Sequence, residues 1–259
     1  IGKVVHMPRC RSLFEARGSA HASSGGSRVE LDRDSLPSDG ALRMDGLPLF
    51  RRTPVRCLGL AAIVASLFAP ITIPLRVLLL AGLALLWTFV EAGRLAPVGL
   101  RRHGWWSTLL WTGVVTATGI LFGEVGQPLL EWLLRARVDY SGYGALVGNE
   151  RAALQLLTYA LTSAAIGEEV LFRGFFLHQV TAIFGEGAAA RRAAILASGT
   201  FFGVAHFIQG WLGILFTGFM GLVFAWAWFR SGRNLWALIM AHALIDAYGI
   251  AMMYLGRYN

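Results

Sequence analysis

After residue 50 the chain is a succession of apolar runs, at about 57–74, 77–93, 105–123, 152–184, 189–208, 211–229 and 235–255, joined by loops that hold most of the arginines. A run of roughly 20 apolar residues is the length of helix that crosses a bilayer, and shorter runs suffice where neighbours bury their ends. The fold class expected is therefore all-α, a polytopic transmembrane bundle of about seven spans, with six to eight as the range. The first two runs are crowded by Pro70, Pro74 and Arg76 and read equally as a hairpin of short spans; the run 152–184 is too long for one simple crossing. Of 259 residues, 56% are hydrophobic and 15% charged, the balance of a membrane protein.

The net charge of +8 does not point to nucleic acid, because the basic residues are mostly arginines at the ends of apolar runs rather than a clustered patch. Membrane orientation explains them better. With the N-terminal side of the first span placed inside, the inner loops collect Arg51, Arg52, Arg56, Arg94, Arg101, Arg102, Arg191, Arg192, Arg230 and Arg233. Arg76, Arg135, Arg137, Arg151 and Arg257 fall outside, and an excess of basic residues marks the cytoplasmic side. The expected orientation is N-in, C-out.

Three domains are expected. Residues 1–50, with HASSGGS, LPSDG and no apolar run, read as a disordered polar leader; Met44 just ahead of the first run makes upstream sequence outside the native product an alternative. Residues 51–150 hold the N-terminal transmembrane helices, and residues 151–259 hold the functional core. The polar stretch RARVDYSGYGALVGNER marks the boundary between the last two. Cys10 and Cys57 offer neither a disulfide framework nor a paired-cysteine metal site.

Within this apolar background the charges beyond residue 151 stand out. The acidic residues there are Glu168, Glu169, Glu186 and Asp246, and three of the four lie inside apolar segments, along with Arg173, His206 and His242. An ionisable group at mid-membrane costs about 2.5–3.5 kcal/mol on insertion scales and is kept where it has a partner or a task. Glu169 and Arg173 stand four residues apart, the spacing that shares a helical face, so Arg173 is expected to neutralise Glu169 and leave Glu168 pointing elsewhere. Any one of these residues reads as readily as a structural ion pair or a satisfied histidine; the set does not.

The groups are also expected to meet. Glu168 lies 17 residues before Gly185 and His206 19 residues after Gly187, so in an antiparallel pair both sit on the order of 25 Å from that turn. His242 and Asp246 stand 10 and 14 residues past Gly232, roughly 15–21 Å from the same face. By contrast, His178 is expected to be an interfacial or satisfied core histidine, and Glu91 and Glu124, near span ends, to reach water. Tryptophans at span starts, such as Trp105, Trp106, Trp211 and Trp236, read as interfacial belts. Gly213, Gly218 and Gly221 read as close helix packing.

In order along the chain, EExxxR at Glu168, Glu169 and Arg173, FxxxH at Phe202 and His206, and HxxxD at His242 and Asp246 resemble the motifs of the CPBP family of intramembrane proteases (CAAX protease and bacteriocin-processing, or Abi). The resemblance covers about residues 150–255. It implies Glu168 and His206 as the pair that activates water, His242 and Asp246 as the oxyanion side, and Glu169, Arg173 and Phe202 as structural support of the site. It also implies an endopeptidase acting on a membrane-associated protein or peptide: a CAAX-type C-terminus, a C-terminal sorting tail or a bacteriocin precursor. The place expected for it is a multi-pass position in a bacterial cytoplasmic membrane.

No cofactor is preferred. The competing expectation is Zn²⁺ held by His206, His242 and Asp246, since two histidines and a carboxylate can leave one position open for water; no HExxH helix is present. From other classes, a non-catalytic immunity or assembly factor retaining the fold and a transporter using the carboxylates as a proton relay are the alternatives. The first gives no reason to keep the full set of buried ionisable groups, and the second lacks a visible inverted repeat.

Overall fold

The computed structural model describes residues 46–258; residues 1–45 of the polar leader, with Cys10 and Met44, lie outside them. The described chain is helical, with α1 (Thr53–Ser66), α2 (Ile73–Ala92), α3 (Trp105–Leu121), α4 (Gln127–Leu134), α5 (Glu150–Tyr159), α6 (Leu177–Phe184), α7 (Ala188–Ala205), α8 (Gly210–Arg230) and α9 (Leu235–Tyr254). Two π-helical segments, Phe122–Gly126 and Ala160–Phe176, join α3 to α4 and α5 to α6 without a break. The helices therefore form seven continuous stretches, which follow the seven apolar runs. Four of them, Ile73–Ala92, Trp105–Leu134, Phe207–Arg230 and Leu235–Tyr254, are long and apolar enough to cross a membrane by length and composition. The protein is an integral membrane bundle.

Its first helix is shorter than expected. Pro54 falls in the first turn of α1, where its missing N–H is not needed, but α1 stops at Ser66, eight residues before the expected end, and Pro74 opens α2. Arg76 Nη1 donates to Ala69 O at 2.6 Å and closes the turn between them. Part of the expected leader belongs to the bundle. Pro48–Arg51 forms a 3₁₀ turn, Leu47 N donates to Val90 O at 2.7 Å, and Phe50 meets Trp87 edge-on at 4.8 Å.

Surface and interior are arranged as a bilayer demands. Leu83, Leu86, Leu110 and Leu133 expose more than half their area, while Thr88, Glu91, Thr112, Glu169, Arg173 and Gln179 are buried. Trp105, Trp106 and Trp236 are exposed at the starts of α3 and α9, and Trp211 is exposed at the start of α8. Glu91 corrects the expectation that it reaches water, because it is 2% exposed. Arg56 Nη2 pairs with its carboxylate at 2.6 Å, His178 Nε2 lies 3.0 Å from it and Gln179 Nε2 donates at 2.7 Å. This cluster ties α1, α2 and α6 together and gives His178 the structural role expected of it.

Helix directions follow from side-chain register. Asn234 caps α9 by accepting from Ala237 N and donates to Thr108 Oγ1 at the start of α3, while Tyr248 further along α9 donates to Glu124 past the end of α3; the two helices run parallel. Between α7 and α8 the backbones cross closely: a Cβ on Gly203 would stand 2.5 Å from Ile214 O, and one on Gly221 would stand 2.9 Å from Gly199 Cα. Gly213, grouped with those glycines from sequence, instead leaves room for the side chain of Gln209 in the turn just ahead of its own helix.

The crossing carries a prediction. In an open helix Gly→Ala gains up to about 1 kcal/mol, which is the result expected at Gly113, where nothing lies within 4 Å. Gly203→Ala should lose about 1–3 kcal/mol instead, because the clash is with a backbone oxygen that cannot rotate away. Thermal unfolding of the two variants in detergent checks the opposite signs.

Candidate active site

The segment carrying Glu168, Glu169 and Arg173 is the π-helical stretch Ala160–Phe176. π-winding closes i→i+5 bonds, is rare at length, and recurs at functional sites. The stretch is packed against α2, α9 and α7, with Val77 of α2 against Gly167. Eleven of its residues are buried, including the whole stretch from Glu169 to Phe175.

Arg173 has no exposed surface, and its Nη1 donates to Glu169 Oε1 at 2.9 Å. Its guanidinium lies 4.2 Å from the centre of the Phe202 ring and 4.8 Å from that of Phe224, so aromatic faces from α7 and α8 take up the rest of the cation. Phe202 thus supports the arginine directly. The i, i+4 pair expected from sequence is present.

Glu169 also reaches across to α9. His242 Nδ1 lies 2.8 Å from the same Oε1, and His242 Nε2 lies 3.5 Å from Asp246 Oδ2. The motif pairs His242 with Asp246; the structure gives the shorter contact to Glu169, because the π-segment and α9 pack side by side at that level. With a carboxylate at each nitrogen, the form that satisfies both contacts is the doubly protonated ring. Phe224 closes over it edge-on at 5.5 Å.

His206 stands at the C-terminal end of α7, where the helix gives way to the 3₁₀ turn Phe207–Gln209. Its Nδ1 lies 2.8 Å from Phe202 O. Donation to that carbonyl fixes the tautomer and leaves Nε2 with its lone pair free. Glu168 is half-buried, and its Oε2 is sheltered from solvent with no partner among the described residues. Asp246 is 28% exposed at the side chain and lies within electrostatic reach of His242, Glu168, His206 and Glu169. The structure therefore gathers all seven residues singled out from sequence into one cluster.

Two further residues were not anticipated. Gln209 is buried; its N–H donates to His206 O, and its Nε2 donates to Tyr143 Oη at 2.6 Å. Asp139 N donates to Gln209 O at 3.1 Å, so the polar loop between α4 and α5 is docked over the His206 corner. Burial, then the Asp246 and Glu168 carboxylates, push the Tyr143 hydroxyl far above the ordinary phenol range. On the other side of this loop a cavity of about 650 Å³ is lined by Glu124, Glu131, Asp139, Tyr140 and Arg257. The available signal was the loop itself, whose tyrosines sit in a polar stretch immediately ahead of the charged helix.

The zinc expectation needs His206, His242 and Asp246 to converge on one point. Among the described residues no group of three or more His, Cys, Asp or Glu side chains is arranged to hold a metal ion. His242 Nδ1 is turned to Glu169 and His206 Nδ1 to a backbone carbonyl, which leaves Nε2 as the ring nitrogen of each that can meet a ligand.

Residues 150–248 match the family model for the type II CAAX prenyl endopeptidase Rce1-like domain. The matched stretch contains the three motifs and ends two residues beyond Asp246, so the resemblance read from them is shown for this part of the chain. The family is one of peptide hydrolases of the CAAX endopeptidase type. Neither a curated protein nor a solved structure matches the chain.

Proposed function

With residues 150–248 a domain of the Rce1-like CAAX endopeptidase type, we propose that the chain hydrolyses a peptide bond of a membrane-associated protein or peptide, using a water activated by Glu168 and no metal. The substrate proposed is a membrane-tethered tail: a CAAX-type C-terminus, a sorting tail or a bacteriocin-like precursor. The observation that carries this reading is the unpartnered, solvent-sheltered Oε2 of Glu168, beside a neighbouring glutamate whose charge is already matched by Arg173.

The chemistry divides among the groups as follows. Glu168 takes a proton from water as the resulting hydroxide attacks the scissile carbonyl. His206 Nε2, with Nδ1 committed to Phe202 O, holds the same water by accepting its other hydrogen. The carbonyl oxygen gains charge and is met by the Nε2–H of His242, whose ring is fixed by Glu169; a preorganised donor at that point is worth most where water is excluded. Collapse of the tetrahedral species breaks the C–N bond. The proton held by Glu168 passes to the departing nitrogen as that bond breaks, the new carboxylic acid gives its remaining proton to the freed amine, and a carboxylate and an ammonium are released.

His242→Ala is expected to lower the rate by about 10² to 10³, the usual consequence of removing one oxyanion donor. The test of the function is purified protein incubated with a library of membrane-tethered peptides, with cleavage read by mass spectrometry. Cleavage within one class of tail supports the proposal; no cleavage across the library contradicts it. Loss of cleavage on chelation, restored by Zn²⁺, would put the metal-dependent reading in its place.

A further inference from the structure

The oxyanion side of this pocket is short of donors. His242 supplies one N–H, but Asp246, which faces its Nε2 at 3.5 Å, only accepts when ionised and would repel a developing oxyanion. Glu168 and Glu169 add two more carboxylates. A neutral O–H on the same side would relieve this.

Tyr143 supplies one. Its oxygen accepts from Gln209 Nε2 at 2.6 Å, and a phenol whose oxygen is taken up as acceptor still has its own hydrogen to give. Among the described residues that hydrogen has no acceptor. The groups that act on the hydroxyl are Asp246 from α9, Glu168 from the π-segment, Tyr140 from its own loop and Gln209 from the turn after α7. Gln209 is in turn bonded through its backbone N–H to His206 O and through its carbonyl to Asp139 N. The hydroxyl is thus held from behind by a buried amide that is tied to a motif residue, and it lies within electrostatic reach of Glu168 and Asp246. Gly213 keeps that amide in place, since a Cβ there would overlap the Gln209 side chain.

We infer that Tyr143 is a catalytic residue, a second oxyanion donor that acts with His242 on the scissile carbonyl oxygen. The inference rests on the hydrolytic reading of the pocket. The hydroxyl is raised by burial and by the two carboxylates, so it keeps its proton throughout the working pH range and can only donate in that direction. The loop between α4 and α5, a boundary by sequence, thereby contributes to the chemistry.

The experiment measures cleavage of a membrane-tethered peptide by wild type, Glu168→Gln, Tyr143→Phe and a protein carrying difluorotyrosine at position 143. Cleavage by wild type that is lost in Glu168→Gln secures the hydrolytic reading on its own. Tyr143→Phe should then lower kcat about 10²-fold with KM within about threefold of wild type, since a donor used only in the transition state moves kcat and not ground-state binding. Difluorotyrosine keeps the shape and makes the phenol more acidic, so a fall of kcat at alkaline pH that wild type lacks should appear as the phenolate forms and can no longer donate. This second variant decides the matter should Tyr143→Phe fail to fold. A Tyr143→Phe enzyme with unchanged kcat, a loss confined to KM, or a difluorotyrosine enzyme whose kcat matches wild type at every pH would overturn the inference and leave Tyr143 as part of a lid.

Discussion

Glu168→Gln is expected to give a folded, membrane-inserted protein whose cleavage falls by about 10² to 10⁴-fold, the range supplied by a positioned general base. The substitution preserves size and leaves one hydrogen-bonding oxygen. Glu168 Oε2 has no partner among the described residues, so little of the fold depends on its charge. Glu169, one residue on, is fully buried and bonded to both Arg173 and His242. The pair therefore separates a chemical role from a structural one. Peptide cleavage and thermal unfolding, measured on the same Glu168→Gln preparation, check both halves; substantial residual cleavage would remove Glu168 from the mechanism.

The largest stability effect is expected at Arg173. Its side chain and that of Glu169 are both wholly buried, and removal of one partner from such a pair costs about 3–5 kcal/mol because the other charge stays desolvated and unmatched. Arg173→Ala also empties the space beneath the Phe202 and Phe224 rings. Loss of expression, or a large drop in unfolding temperature in detergent, is the expected result. Arg173→Met combined with Glu169→Gln removes both charges and keeps most of the volume, so it should regain much of the lost stability. A single Arg173→Ala variant as stable as wild type would mean that Glu169 is neutral in the native state.

These two residues also mark how far the sequence could be read. The i, i+4 spacing of Glu169 and Arg173 is a local property of a helix, and local spacing survives folding; the pair is present even though the helix is π-wound there. The seven apolar runs were legible for the same reason, since length and hydropathy decide which helices a bilayer accepts. Long-range partners were not. Nothing in the spacing of the chain puts Glu169 beside His242, 73 positions away, and the i, i+4 neighbour Asp246 drew attention from it. Glu91 was misjudged because its place near a span end was legible while Arg56, His178 and Gln179, which enclose it from other helices, were not. Tyr143 and Gln209 lay in segments that read as connections, and only the docking of one loop on the other turns them toward the pocket.

The most direct test of a Glu168-activated water is to run cleavage of a membrane-tethered peptide in ¹⁸O-labelled water, with wild type and Glu168→Gln side by side, and to weigh the products. Wild type should release a fragment whose new C-terminal carboxylate carries one ¹⁸O atom, and Glu168→Gln should release essentially none. Labelled product formed equally by both proteins, or product from wild type without the label, would contradict hydrolysis by a water that Glu168 activates.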